Sequence, residues 1–151
     1  MPQSLSNLIV HVVFSTKGRM NLILPDVKDD LYAYIRGIGR EINAPVIEIG
    51  GVEDHVHVLF TLPRTLNLGE VVQNMKSGSS RFIKKKKPAL SRDFAWQRGY
   101  GAFSAAPSTL DRTVQYIRRQ EEHHRVQTFQ DEYRAFLVKH GLAFDENYVW
   151  D

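Results

Sequence analysis

The sequence contains no cysteine among its 151 residues, which excludes a disulfide framework and any metal site built on thiolates. It also lacks a long hydrophobic run and a signal-peptide cleavage pattern, so neither a membrane span nor a secretory signal is predicted. The lack of cysteine is compatible with a reducing compartment, and a cytoplasmic location is expected. Internal repeats and linkers are also absent, which favours a single domain over residues 1–151.

Acidic residues are scarce in one region of the chain. Between Lys76 and Arg98 the sequence has eight basic residues and the single acid Asp93, although the net charge of the whole chain is only +3. Such a local excess of positive charge favours a polyanionic partner. The alternative is a solvated helix end, which is the more common origin of a lysine run.

Hydrophobic periodicity predicts the order β-α-β-β-α-β followed by two helices. The predicted strands are NLIVHVVFST, PVIEIGG, DHVHVLFTL and DFAWQRGYGAFSA, the last one irregular at Gly99 and Gly101. The first helix is DVKDDLYAYIRGIGREI, and the second begins at a capping box of Asn67 and Glu70 and ends in KKKKP. This order matches an α+β ferredoxin-like (RRM-like) fold, in which two helices pack on one face of an antiparallel sheet.

Two more helices are predicted after the fourth strand. One is expected from a cap at Ser108 and Asp111 to about His124, and the other from a cap at Thr128 and Asp131 to near Gly141, with a tail after it. In the ferredoxin-like topology the first and third strands are neighbours. His11 is therefore expected on the same face of the sheet as His55 and His57.

The third predicted strand carries two histidines on one face. Strand side chains alternate, so His55 and His57 point away from the apolar side formed by Val56, Val58 and Phe60. The two imidazoles stand one strand repeat apart, roughly 6.6 Å along the backbone. This spacing allows both rings to reach one ion or one phosphate.

Tyr116 lies on the polar side of the helix PSTLDRTVQYIRRQEEHHR. At 100° per residue it is well over 90° from the apolar cluster of Leu110, Val114 and Ile117. The strip around Tyr116 also contains Arg112, Arg119, Gln120 and His123. A core tyrosine would normally point with the aliphatic residues, so this placement favours a functional role.

If that strip faces the histidines, the residues suit phosphoryl transfer. His55, His57 and Gln120 would bind a divalent cation, and the phenolate of Tyr116 would attack phosphorus to form a phosphotyrosine ester. The phenol needs help from the ion and from Arg119 or Arg112, since a free tyrosine has a pKa of roughly 10. Paired histidines suit zinc, but the amide ligand and phosphate chemistry favour Mg²⁺ or Mn²⁺.

Together, these motifs resemble the single-tyrosine HUH transposases of bacterial and archaeal insertion sequences. The resemblance rests on HVVFSTKGR, GGVEDHVHVLF, MKSGSSR, WQRGYGAFSA and YIRRQEEHH in this order, and it covers nearly the whole chain. It implies a DNA transposase that cleaves and joins single-stranded DNA, with hairpin-bearing ends as the expected substrate. It also implies a 5′-phosphotyrosine intermediate at Tyr116, a free 3′-hydroxyl and a homodimer.

The resemblance gives other residues candidate roles. Lys76, Ser79, Ser80, Arg81, Lys84 and Lys85, with Arg112 and Arg119, are candidate DNA contacts, and Trp96, Tyr100 and Phe103 either stack on bases or belong to the core. His11 and His123 are candidates for support of the site, whereas His124 is expected to be structural.

Two alternatives remain open for the function. One is a domesticated relative that processes repeated genomic hairpins, and the other is a non-catalytic nucleic-acid-binding module of the same fold. A two-histidine phosphoesterase is excluded, because it needs two separate His-x-Ser/Thr motifs and this chain has only one histidine pair.

Overall fold

A computed structural model describes residues 2–151. The first six elements are β1 (Leu8–Ser15), α1 (Pro25–Glu41), β2 (Val46–Val52), β3 (His55–Leu62), α2 (Leu68–Lys86) and β4 (Gly101–Ala105). Three helices follow, α3 (Leu110–Arg118), α4 (Gln120–His123) and α5 (Phe129–Lys139). The predicted β-α-β-β-α-β order is confirmed.

The four strands form one antiparallel sheet in the order β2-β3-β1-β4. The predicted adjacency of the first and third strands is confirmed, since β1 pairs with β3 over its whole length, with Val13 opposite His57. This order and the layer of α1 and α2 on one face form the predicted ferredoxin-like architecture.

The main core lies between the sheet and the layer of α1 and α2. It contains strand residues such as Val12, Phe14, Val58 and Phe60, all with no exposed surface. The helix α2 begins at the predicted capping box, in which the Asn67 side chain accepts from Glu70 N and the Glu70 carboxylate accepts from Asn67 N. Within residues 2–151, none of the helices combines the length and the hydrophobicity that a membrane span requires.

The opposite face of the sheet is covered by α3, α4 and α5. Gly50 of β2 lies against α3 so closely that an added Cβ would be 2.4 Å from the carbonyl oxygen of Ile117. Gly101 of β4 is similarly close to Tyr133 of α5, where a Cβ would be 2.6 Å from a ring carbon. The two glycines therefore let the C-terminal helices pack directly on the strands.

Three predicted boundaries in the C-terminal half are wrong. The fourth strand begins at Gly101, although Trp96 forms an isolated bridge with Thr16. The single helix from Ser108 to His124 is broken at Arg119, whose φ of −96° and ψ of 21° end α3 before α4 begins. Ser108 does not cap α3, because a 3₁₀ turn over Pro107–Thr109 comes first and its C-terminal residue holds the cap position.

The second C-terminal helix matches its prediction more closely. The Thr128 side chain accepts a hydrogen bond from Asp131 N, as predicted for the start of α5. After α5 the predicted tail folds back on the protein, where Val149 and Trp150 pack against a small apolar cluster on this face. The carbonyl oxygen of Asp151 accepts a hydrogen bond from Gly99 N at 2.8 Å.

Candidate active site and metal centre

The histidine pair lies on the face of the sheet that α3, α4 and α5 cover. His55 and His57 have no exposed surface, because strand alternation turns both away from the main core and the C-terminal helices close over them. His11 of the neighbouring β1 joins them, with its Nε2 at 2.8 Å from His57 Nδ1. The predicted grouping of the three histidines on one face is thus confirmed.

Glu132 of α5 points into this group and is 2% exposed. Its Oε1 lies 2.9 Å from Nε2 of His57, 3.4 Å from Nε2 of His55 and 3.2 Å from Nε2 of His124. Three imidazoles from two elements therefore meet at one carboxylate oxygen. The sequence interpretation missed Glu132.

A signal for Glu132 was present in the sequence. Phe129, Tyr133 and Phe136 follow the spacing of an apolar helix face, and Glu132 stands on the same face between them. A carboxylate on such a face has to find partners when it is buried. This conflict with the pattern indicates a polar site beneath α5.

Tyr116 and Gln120 reach the same carboxylate from α3 and α4. The Tyr116 hydroxyl donates a hydrogen bond to Glu132 Oε2, and Gln120 Nε2 donates to the same oxygen at 3.2 Å. Gln120 Oε1 lies 3.1 Å from His55 Nε2. The structure therefore brings together the four residues singled out for catalysis and metal binding, His55, His57, Tyr116 and Gln120.

The protonation of the site follows from burial and these contacts. Burial opposes the charged form of Glu132, but the charge of His57 and the close approach of the three imidazoles outweigh it and hold the pKa of the carboxyl far below its usual range. Burial and the nearby Glu132 charge raise the pKa of Tyr116. The site therefore contains a carboxylate that accepts a hydrogen bond from a neutral phenol.

The pKa values of the three histidines on the sheet shift in different directions. Burial opposes a proton on His55, but Asp54 and Glu132 raise its pKa to about 9. Burial lowers the pKa of His57, and burial together with His57 lowers that of His11. The two nitrogens of His55 face two carboxylates, with Nδ1 at 2.7 Å from Asp54 Oδ1 and Nε2 at 3.4 Å from Glu132 Oε1.

The cluster also has the composition of a metal site. His55, His57, His124 and Glu132 each offer one ligand atom, and these four atoms lie within 4.8 Å of one another. Within residues 2–151 the buried Nε2 of His124 has no hydrogen-bond partner, because its approach to Glu132 does not have hydrogen-bond geometry. A buried nitrogen of this kind fits a metal ligand.

His123 and His124 are adjacent in the sequence at the end of α4, but their side chains point in different directions. His124, which the sequence suggested was structural, faces Glu132 and lies 4.4 Å from the ring of His55. His123 instead contacts the ring of Tyr116, at 4.7 Å between centroids.

A cavity of about 630 Å³ opens beside Tyr116. Its lining includes Arg112, Lys139 and His140, together with His11 and the apolar rings of Phe103 and Phe136. Arg119 is exposed at the break between α3 and α4. The cavity thus gives the tyrosine an approach route with basic side chains along it.

The candidate DNA contacts of α2 lie on the other side of the sheet from this site. They differ in whether their side chains are free to contact DNA. The Lys76 ammonium donates to the carbonyl oxygens of Gln97, Arg98 and Gly99, and Ser79 is buried, where it accepts from Trp96 Nε1 at 3.0 Å. Arg81 and Lys85 are exposed, and Ser80 and Lys84 are half-buried.

The three aromatic residues considered for base stacking also differ. Trp96 packs edge-on against Phe14 in the main core, at 4.8 Å between centroids, and Phe103 stacks on Phe136 at 5.1 Å. Tyr100 has 36% of its surface exposed. Of the three, Tyr100 therefore offers the most surface to a base.

Comparison with known proteins gives a family match over most of the chain. The sequence model of the family described as "Transposase IS200 like" matches residues 4–120. The chain is also similar to ISDra2 transposase TnpA of Deinococcus radiodurans, with 23% identity over 116 residues that cover 74% of this chain and 83% of that protein.

Two solved structures share the fold. One is a candidate transposase from Deinococcus radiodurans R1, with a TM-score of 0.66, 22% identity and coverage of 80% of this chain and 95% of that one. The other is a REP-associated tyrosine transposase bound to a REP hairpin, with a TM-score of 0.61, 13% identity and coverage of 82% and 72%. The family match ends at residue 120, so His124 and Glu132 lie beyond it.

Proposed function

The chain belongs to the family of IS200-like transposases, and from this membership and the geometry of the site we propose that it cleaves and rejoins single-stranded DNA through Tyr116. The observation that carries the proposal is the contact of the Tyr116 hydroxyl with a carboxylate that also contacts the paired histidines. A phenol placed beside a buried group of metal-ligating side chains suits attack on a phosphodiester.

The chemistry proceeds by exchange of one phosphate ester for another. The Tyr116 oxygen forms a bond to phosphorus, the bond from phosphorus to the 3′-oxygen breaks, and that oxygen takes up a proton to give a free 3′-hydroxyl. The phenol must lose its own proton, which now makes a hydrogen bond to Glu132 Oε2; the proton leaves to solvent water, and Arg112 in the adjacent cavity favours the phenolate. The 5′-phosphotyrosine product retains an ester that a second 3′-hydroxyl can attack in the rejoining step.

The residues of the site fit a divalent cation. Two imidazoles and the amide oxygen of Gln120 supply donors, and the partnerless Nε2 of His124 indicates that the buried polar atoms do not fully satisfy one another. An ion bound there would polarise the scissile phosphate. On the sequence argument it is Mg²⁺ or Mn²⁺.

The substrate is proposed to be DNA with a hairpin near the cut. Arg112 and Lys139 line the cavity beside Tyr116 and suit the phosphates of the strand to be cut. The exposed basic residues of α2 suit a second part of the same DNA, and the similar tyrosine transposase bound to a REP hairpin supports a folded substrate. A homodimer is also part of the proposal, and light scattering of the purified chain tests it.

Covalent capture of DNA tests the function directly. The protein and its Tyr116→Phe variant are incubated with a randomised single-stranded DNA library and Mn²⁺ or Mg²⁺, and DNA attached to denatured protein is sequenced. We expect adducts with the unchanged chain and none with the variant, while DNA binding persists in both. Equal adduct yields from both proteins would contradict the role of Tyr116.

The absence of adducts from both proteins, with binding intact, favours the non-catalytic alternative for this library. DNA that flanks the gene is then the decisive substrate, because it contains any hairpin too long for a random library. Failure to cut this DNA as well would reject the proposed enzyme activity.

A further inference from the structure

We infer that His124 and Glu132 are metal ligands and that the site selects a first-row transition-metal ion over Mg²⁺. The inference deepens the proposed function, since it names the class of ion that the same site binds. Both residues lie beyond residues 4–120, the part of the chain that the family match covers. The assignment therefore rests on the geometry of this chain.

The first argument is the spacing of the donor atoms. In a tetrahedral site with bonds of 2.0 to 2.1 Å, neighbouring donors are about 3.3 Å apart. Glu132 Oε1 lies 2.9, 3.4 and 3.2 Å from the Nε2 atoms of His57, His55 and His124. The carboxylate oxygen thus stands at ligand-to-ligand distance from all three imidazole nitrogens, and the four donor atoms lie within 4.8 Å of one another.

The second argument is the unpartnered nitrogen. The His124 side chain is 9% exposed, and its Nε2 points into the cluster without a hydrogen-bond partner among residues 2–151. A buried imidazole nitrogen left in this state carries a desolvation cost, which an ion at the centre of the four atoms removes.

The third argument is the nature of the donors. Three imidazole nitrogens and one carboxylate oxygen suit Zn²⁺, Co²⁺ and related ions, whereas Mg²⁺ prefers oxygen ligands and keeps several of its waters. Of the two ions favoured by the sequence, only Mn²⁺ belongs to the selected class.

Outer contacts hold these ligands in place. Asp54 contacts His55 through Nδ1 at 2.7 Å, and His11 contacts His57 through Nδ1 at 2.8 Å, so that both Nε2 atoms face inward. Glu132 Oε2 is held by Tyr116 and Gln120, which leaves Oε1 for the ion. Metal-binding histidines commonly have such a contact on their second nitrogen.

Metal binding to the purified chain tests the inference without any DNA. After removal of bound ions with a chelator, titration calorimetry measures the affinities for Zn²⁺, Mn²⁺ and Mg²⁺, and the visible absorption of bound Co²⁺ reports its ligand geometry. We expect Zn²⁺ to bind on the order of a thousand-fold more tightly than Mg²⁺. The Co²⁺ spectrum should show the intense bands of a low-coordinate site containing nitrogen.

Two variants and one control assign the ligands. Glu132→Gln and His124→Asn should each weaken Zn²⁺ binding by more than about 100-fold, which exceeds the usual effect of removing an outer hydrogen bond. Glu122→Gln, which makes the same carboxylate-to-amide change at an exposed residue of α4, should leave the affinity unchanged. Circular dichroism and thermal melts of the metal-free variants establish that each one is folded.

The outcomes separate this inference from the proposed function. Unchanged Zn²⁺ affinity in folded Glu132→Gln and His124→Asn, or equal affinities for Zn²⁺ and Mg²⁺, would overturn the ligand assignment even if Tyr116 still forms DNA adducts. Selective binding that both variants abolish would support it even if no adduct is found.

Discussion

The two faces of the sheet bury different kinds of side chain. Toward α1 and α2 the strands present Val12, Phe14, Val58 and Phe60, and this side is an apolar core. Toward α3, α4 and α5 the same strands present His11, His55 and His57, with Glu132 closing over them. One strand therefore serves stability on one side and chemistry on the other, because successive side chains alternate.

The difference shows how a polar cluster is buried at acceptable cost. On the apolar face, burial is favourable for each side chain by itself. On the other face each group depends on its partners, so that Glu132 is shared among three imidazoles, a phenol and an amide. We call the side packed against α1 and α2 the apolar layer and the side packed against α3, α4 and α5 the polar layer. The apolar layer should control stability, and the polar layer should control metal binding and cleavage.

Phe60→Ala should give the largest change in stability. Phe60 has no exposed surface and lies in the main core, so its truncation should lower the free energy of unfolding by about 3–5 kcal/mol. Urea denaturation followed by circular dichroism measures the change. The folded protein should retain its metal affinity. A decrease in the free energy of unfolding of less than about 1 kcal/mol would show that the apolar layer contributes less to stability than we expect.

Metal binding in the polar layer should give the next largest change in the free energy of unfolding. A zinc concentration 100 times the dissociation constant should raise the free energy of unfolding by about 2.7 kcal/mol, because the ion binds the folded chain. Thermal melts with zinc and with a chelator measure this increase. It should persist in Phe60→Ala and disappear in His124→Asn, and an equal increase in both variants would place the ion elsewhere.

Gly50→Ala should disturb the contact between the polar layer and the sheet. The new Cβ would be 2.4 Å from the Ile117 carbonyl oxygen, so α3 has to move, at a cost of about 1–3 kcal/mol in stability. DNA cleavage should slow as well, because α3 carries Tyr116. Urea denaturation and a cleavage time course measure the two effects.

Gly37→Ala is the matched control on the apolar layer. A Cβ at Gly37 in α1 has only Arg40 Nη2 within 4 Å, at 3.7 Å, so this change should stabilise the protein by about 0.5–1 kcal/mol and leave cleavage unaltered. Equal effects of the two substitutions would argue against a close fit between α3 and β2.

The apolar face and the strand order could be predicted from the sequence, whereas the full polar site could not. Alternation in β1 and β3 placed His11, His55 and His57 together, since local periodicity and topology determine which face a strand residue occupies. The positions of His124 and Glu132 depend on the break at Arg119 and on the way α5 docks across the sheet. These are tertiary features, which helical periodicity calculated for one continuous helix does not contain.

The smallest effect is expected at the outer surface of the apolar layer, where the lysine run ends α2. Lys86 and Lys87 form ion pairs with Asp30 and Asp26, whereas Lys84 and Lys85 have no ion-pair partner among residues 2–151. Replacing Lys84 and Lys85 by glutamine should reduce the slope of log affinity against log salt by about 1.4 for single-stranded DNA, or about 0.7 for each phosphate that the variant no longer neutralises.

The same change at Lys86 and Lys87 is the control, and it should alter the slope less, because nearby carboxylates already offset these charges. Fluorescence anisotropy with labelled single-stranded DNA at several salt concentrations measures both slopes. Cleavage at saturating DNA should be equal in the two double variants, because the chemistry lies on the other face of the sheet. An unchanged slope after replacement of Lys84 and Lys85 would identify the run as a solvated helix end, and DNA would then bind through the polar layer alone.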